Sequence, residues 1–227
     1  MKFLLTNDDG IDAVGLGLLA DVCSELGEVT VVAPFEEQSG VGHRVITRAP
    51  LKLSARAEQR YALAGTPADC ARVGLRALSV AADWVISGLN HGGNLGVDVH
   101  MSGTVAGARE GSILGCQAIA ISQVLNIKHP IDHARMRAMT ARVIRELLAR
   151  PLAGGALYNV NLPFAPESDE PELVFCSPDP SPHDVRYRAI DDGFHYSGVF
   201  LNRPRKPGLD VDVVFSGKIA VSVLTIV

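Results

Sequence analysis

The stretch Lys2-Phe3-Leu4-Leu5-Thr6-Asn7-Asp8-Asp9-Gly10-Ile11, "KFLLTNDDGI", governs the reading of the whole chain. Residues 2–6 read as a short buried strand around the apolar run Phe3-Leu4-Leu5, and the polar residues after it end that strand. Neighbouring side chains in a strand point to opposite faces, so Asp8 and Asp9 could not serve one site if the strand ran on. A turn at Gly10 would let both carboxylates converge. Open parallel sheets bind ligands outside the carboxyl ends of their strands, and this acid pair stands at such an end.

Outward from there, strands and helices alternate. "GLLADVCSELG" sets Leu19, Val22, Cys23 and Leu26 on one helical face and stops at Gly27. "VTVVAP" (29–34) is a second strand, followed by the loop "FEEQSGVGHR". "YALAG" (61–65) enters a helix marked by Thr66 as N-cap, Pro67 at its first position and Asp69 as reciprocal cap. "DWVISG" (83–88) and "QAIAIS" (117–122) are further strands. Between them lie the glycine-rich "LNHGGNLGVDVHM" and a helix opening at Ser102. "DHARMRAMTARVIRELLAR" is a long helix with Met136, Met139, Val143 and Leu147 along one stripe. This order predicts an α/β fold, a Rossmann-like, doubly wound and mainly parallel sheet over residues 1–163. Beyond a Pro- and acid-rich linker, "LVFCSP", "RYRAI", "FHYSGVF", "VDVVFSG" and "IAVSVLTIV" read as strands. They make residues 164–227 a β-rich extension of the same domain. "NRPRKPG" reads as a surface turn.

At 227 residues the chain can bury a real core. Its net charge of -4 gives no basic field for nucleic acid. No apolar stretch approaches the roughly 20 residues that span a bilayer, and the start lacks the pattern of a signal peptide. Cys23, Cys70, Cys116 and Cys176 are scattered without a C-x-x-C pair, which disfavours zinc or a disulfide framework and fits a reducing cytoplasm.

Three polar loops leave strand ends: "TNDDG", "EEQSGVG" and "SGLNHGGNLG". Gathered in one crevice, they would offer the oxygens of Asp8, Asp9, Ser39 and Asn90. Hard oxygen donors without thiolate suit Mg²⁺ or Mn²⁺, with Ca²⁺ as a third candidate. Two carboxylates leave such a cation near neutral, able to attract phosphate and acidify water. The helix start at Ser102-Gly103-Thr104 would cradle an anion with its free N–H groups. His43, His91 and His100 lie in or beside these loops, where a histidine could position a proton or simply be solvated. His129, His133, His183 and His195 form no usable pattern.

"LLTNDDGI", "VVAPFEEQSG", "GTPADC", "VISGLNHGGNLG", "SGTVAGAREG" and "YNVNLP", in that order, resemble the signature blocks of the stationary-phase survival protein SurE family. The resemblance spans residues 1–163. It implies a Rossmann-like core with a β-rich extension and a nucleotidase that uses one divalent cation per subunit. The substrates implied are nucleoside 5′- and 3′-monophosphates and short polyphosphate, and the assembly a homodimer or homotetramer made through the extension. Carried over, the metal pattern falls on Asp8, Asp9, Ser39 and Asn90. Phosphate and nucleotide contacts fall on Asn94, Ser102, Gly103 and Thr104, more loosely on Gly65 and Thr66, and Asn7 braces the turn. Met101 stands where the family usually has tyrosine. Gly107 replaces a frequent alanine, a change that loosens the helix slightly. Two other classes remain: a non-catalytic nucleotide-sensing module, and a dinucleotide-dependent oxidoreductase. The second would need G-x-G-x-x-G straight after the first strand, and "TNDDGIDAVGLG" lacks it.

Overall fold

In the computed structural model, residues 1–126, 130–183 and 185–226 are described. β1 (Lys2–Thr6) lies between β2 (Glu28–Pro34) and β5 (Trp84–His91), parallel to both. The sheet continues through β4 (Arg60–Leu63) and β3 (Leu53–Ala57) on one side. On the other come β6 (Gln117–Gln123), β7 (Ala156–Leu162), β11 (Ile219–Thr225) and β8 (Leu173–Phe175), in a nine-stranded order β3-β4-β2-β1-β5-β6-β7-β11-β8. Strands β4 through β7 are parallel, whereas β3 and β11 run antiparallel to their inner neighbours. Because the chain leaves β1 for β2 and later returns to β5 on its opposite side, strand order reverses beside β1, the place where such sheets open a crevice.

Helices cover both faces, as a sheet buried on both sides requires. α1 (Val14–Ser24) and α4 (His133–Leu148) pack together on one face, while α2 (Pro67–Arg72) and α3 (Gly103–Ile113) pack on the other. The α4 stripe of Met136, Met139, Val143 and Leu147 is buried, as its spacing predicts, and each such side chain contributes about 1.5–3 kcal/mol. α2 begins with the expected reciprocal cap: Asp69 N–H donates to Thr66 Oγ1 (3.2 Å) and Thr66 N–H to Asp69 Oδ2 (3.0 Å). This mainly parallel sheet flanked by helices is the α/β, Rossmann-like architecture that the alternation implies.

Two readings of the C-terminal part are corrected. "VDVVFSG" is not a strand, because α5 (Asp210–Phe215) occupies it. The buried Asp210 carboxylate accepts N–H bonds from Gly96 (2.6 Å), Asp179 (2.8 Å) and Val211 (2.8 Å), which anchors the helix start and overrides valine's strand preference. "NRPRKPG" is not simply a surface turn, since the Arg203 side chain is only 8% exposed and pairs with Asp98. β9 (Tyr187–Ile190) and β10 (Gly193–Tyr196) form a separate antiparallel hairpin.

Gly107 proves to be a spacer. A Cβ there would lie 2.8 Å from Thr6 Cγ2 and 2.9 Å from Ser87 Oγ, both on buried strand residues. Alanine would gain about 1 kcal/mol of helix propensity but overpack this contact at about 1–3 kcal/mol. Gly107→Ala is therefore expected to lower the melting temperature by a few degrees in scanning calorimetry. An unchanged or raised transition would show that α3 can slide away from the sheet without loss.

Candidate active site

Gly10 adopts φ +99°, which a side chain would resist, so the chain turns immediately after the acid pair. Asn7 Nδ2 donates to Gly10 O (2.9 Å) across that turn, and Ile11 N–H donates to Pro34 O (2.8 Å), tying it to β2. Asp8 is buried, and its Oδ1 accepts from Thr104 Oγ1 at 2.5 Å. Asp9, half-buried, accepts the His91 N–H on Oδ2 (3.2 Å) at the end of β5. The two side chains thus reach different neighbours around one strand end.

A cavity of about 270 Å³ opens there, and Asp8, Ser39, Asn90, Asn94 and Ser102 all line it. Asn90 reaches it because β5 carries one extra residue against β6 between Ser87 and Asn90, a bulge that re-aims the strand end. Asn90 Nδ2 donates to Gly92 O (2.7 Å), so its nitrogen is committed and its oxygen is the free end. Ser39 is exposed, and its hydroxyl donates to Glu37 Oε1 (2.6 Å). The stretch that carries Ser39 is tied on both sides. Gln38 N–H donates to Asp8 O (2.7 Å), Gly42 N–H to Met101 O (3.1 Å), and Ile46 N–H to Asp69 Oδ1 (3.0 Å).

Burial pushes the Asp8 carboxyl up to about 6; the Thr104 hydroxyl opposes that rise and the Asp9 charge adds to it. Burial also raises Asp9, against the stabilising His91 N–H. Among the described residues no Lys, Arg or His side chain forms an ion pair with either acid. Adjacent, unanswered carboxylates beside an amide oxygen and a hydroxyl fit a hard divalent cation. No three His, Cys, Asp or Glu side chains gather as a metal group among the described residues, so any ion must also rely on neutral oxygens.

The remaining candidates divide. The Ser102 hydroxyl caps α3 by accepting from Val105 N–H (2.9 Å). A Cβ on Gly103 would fall 2.9 Å from Asp8 Oδ2, so only glycine lets the helix start press against the carboxylate. The Thr104 hydroxyl is spent on Asp8. Asn94 is held by three partners: its N–H donates to Asn161 Oδ1 (2.8 Å), its Nδ2 to Ser122 Oγ (2.8 Å), and its carbonyl accepts from Asn159 Nδ2 (2.8 Å). Gly65 and Thr66 line a different cavity, with Arg44, Lys52 and Arg56. His43 Nε2 lies 2.8 Å from Glu110 Oε2, tying its loop to α3 and away from the cavity. His129 lies outside the described residues. Three contributors receive no role from the sequence: Asn159 and Asn161, which lie in the quoted block "YNVNLP" on β7, and Asp98, which also lines the cavity.

No helix of the described residues is long and apolar enough to cross a membrane. Residues 3–179 match the family profile of "Survival protein SurE". A Nostoc sp. protein carrying a provisional 5′-nucleotidase name is 46% identical, with the alignment covering 100% of both chains. The "5'-nucleotidase SurE" of Paramagnetospirillum magneticum is 38% identical over 99% of this chain and 89% of its own. The crystal structure of the SurE protein from Aquifex aeolicus is similar at a TM-score of 0.89 and 30% identity, covering 100% of this chain and 94% of that one. With its sheet, its acid pair and its full-length relatives in agreement, this chain belongs to the SurE family.

Proposed function

We propose that this protein is a divalent-metal-dependent phosphomonoesterase. It hydrolyses nucleoside 5′-monophosphates, and also 3′-monophosphates, to nucleoside and phosphate, with short polyphosphate as a further substrate. The observation that carries this reading is the unanswered acid pair: Asp8 shares a cavity with Ser39 and Asn90 at the point where strand order reverses, and Asp9 borders it through His91. The 5′-nucleotidase names of its relatives support it.

Asp8, Asp9, Ser39 and Asn90 would hold one Mg²⁺, Mn²⁺ or Ca²⁺ per subunit. A cation so held supplies charge neutralisation for the phosphate and an acidified water. Thr104 and the His91 N–H fix the two carboxylates, Ser102 and Asn94 border the space left for phosphate oxygens, and Gly103 lets the start of α3 press against Asp8. Water, not Asp8, is the nucleophile in this reading, and a phosphoenzyme trapped on Asp8 would overturn that choice. The hairpin β9–β10 exposes Tyr187, Ile190 and Phe194, an apolar surface suited to a homodimer or homotetramer, and the cytoplasm is the proposed compartment.

Phosphate release from a nucleotide panel, before and after EDTA and with Mg²⁺, Mn²⁺ or Ca²⁺ added back, tests the reading. EDTA is expected to abolish release and one of the cations to restore it. Release that persists in EDTA would remove the metal. Nucleotide binding without release at any metal concentration would make the protein a sensing module instead.

A further inference from the structure

A second cavity of about 210 Å³ adjoins the one that holds Asp8, and the two share Asp98 and Phe200 as a common wall. Its other linings include His183, Tyr196, Val199 and Arg203. Phe200 stands on the shared wall, and the residue is 38% exposed. Its position is set from three sides, one of them the tilted Phe215 ring, whose centroid is 6.4 Å away. A Cβ on Gly93 would fall 3.2 Å from Phe200 Cζ, so the ring tip rests on the glycine loop that follows Asn90. The Arg203 guanidinium lies over the ring, 4.8 Å from its centroid, and is itself held by Asp98 Oδ2 (2.5 Å) and Leu95 O (3.3 Å). His183 Nε2 lies 2.6 Å from the other Asp98 oxygen. Asp98 therefore meets cationic or hydrogen-bonding partners on both oxygens and is not free to join the metal candidates.

We infer that this second cavity is the nucleoside subsite: a base stacks on Phe200 while the phosphate it carries occupies the neighbouring cavity. The inference rests on the proposed phosphomonoesterase reading and extends it to the substrate's other end. A flat apolar ring backed by a buried guanidinium offers stacking to any base, since every base has a π-face. The Tyr196 ring folds across Gly198, where a Cβ would fall 2.2 Å from the phenol oxygen, and with Val199 it forms apolar walls that would not suit a second phosphate. The layout matches a nucleoside monophosphate, charged at one end and aromatic at the other. With Tyr196 and His183 as the polar side chains nearest a base edge beyond the Asp98–Arg203 pair, the site should prefer nucleotides over base-free phosphates while discriminating weakly between bases.

The test compares kcat/KM for purine and pyrimidine nucleoside monophosphates with that for ribose 5-phosphate, in wild type, Phe200→Leu and Tyr196→Ala. The nucleotide-to-ribose-phosphate ratio is expected to fall about tenfold in Phe200→Leu, chiefly through KM, and in the same direction in Tyr196→Ala. Circular dichroism confirms that each variant is folded. A ratio unchanged in both variants overturns the inference. Should wild type release phosphate from neither substrate, the phosphomonoesterase reading fails on its own, and calorimetric titration with adenosine decides the subsite. Adenosine binding that weakens about tenfold in Phe200→Leu upholds it, and binding absent from wild type or equal in the variant overturns it.

Discussion

Asp9→Asn is expected to cut phosphate release by about 500-fold or more, on the order of 4 kcal/mol in barrier, while leaving the fold intact. The substitution keeps the size of the side chain and an oxygen for the His91 N–H, so the turn at Gly10 has no reason to move. What it removes is one of the two negative charges facing the proposed ion. A cation held by the remaining carboxylate and neutral oxygens binds more weakly and carries more net charge, which disturbs both its occupancy and the water it acidifies. Steady-state phosphate release at saturating Mn²⁺ or Mg²⁺, with circular dichroism as the control for folding, measures the effect. A variant within a fewfold of wild type would place Asp9 outside the metal shell.

Asp8→Asn should show a reversal in stability. Folding buries this carboxyl and raises it from 3.8 to about 6. An unfolded chain gives up that proton near 3.8, so the stability tied to the group is complete below that value. It is lost as the pH climbs through about 6, and at neutral pH the buried charge costs the metal-free protein on the order of 3 kcal/mol. Asparagine carries no charge yet still accepts the Thr104 hydroxyl. In EDTA at pH 7.5 the variant is therefore expected to melt about 5 °C or more above wild type. Saturating metal should then stabilise wild type by mass action and leave the variant almost unmoved, closing or inverting the gap. Calorimetry of both proteins with and without metal checks this; a variant that melts below wild type in EDTA at pH 7.5 would refute it.

Much of this molecule can be read from one dimension. β1, β2, β5 and β6 are buried on both faces, and such strands appear as continuous apolar runs. α2 announces itself because a reciprocal cap is a local device written within Thr66 to Asp69. Where stability comes from distant partners, the signal fades. β3, "LSARA", exposes most of its residues and is held by pairing with β4, so no hydrophobic pattern marks it. Val211, Val213 and Val214 read as a strand, but Asp210 accepts bonds from Gly96 and Asp179, far away in sequence, and makes a helix. Arg203 looks like one of several surface bases until Asp98, 105 residues away, is seen beside it. At the site, Asp8 and Ser39 could be anticipated because each follows a recognisable strand end. The commitment of Thr104 to Asp8 instead of to open space could not, since it depends on how closely Gly103 lets α3 approach.

The ties on either side of Ser39 have a kinetic consequence. Because that segment is already fixed by Asp8, Met101 and Asp69, capturing the proposed ion would not require a floppy strand of protein to search for its pose. Loss of freedom has been absorbed during folding, so metal uptake should proceed at a rate governed by desolvation of the ion, without a lag for rearrangement.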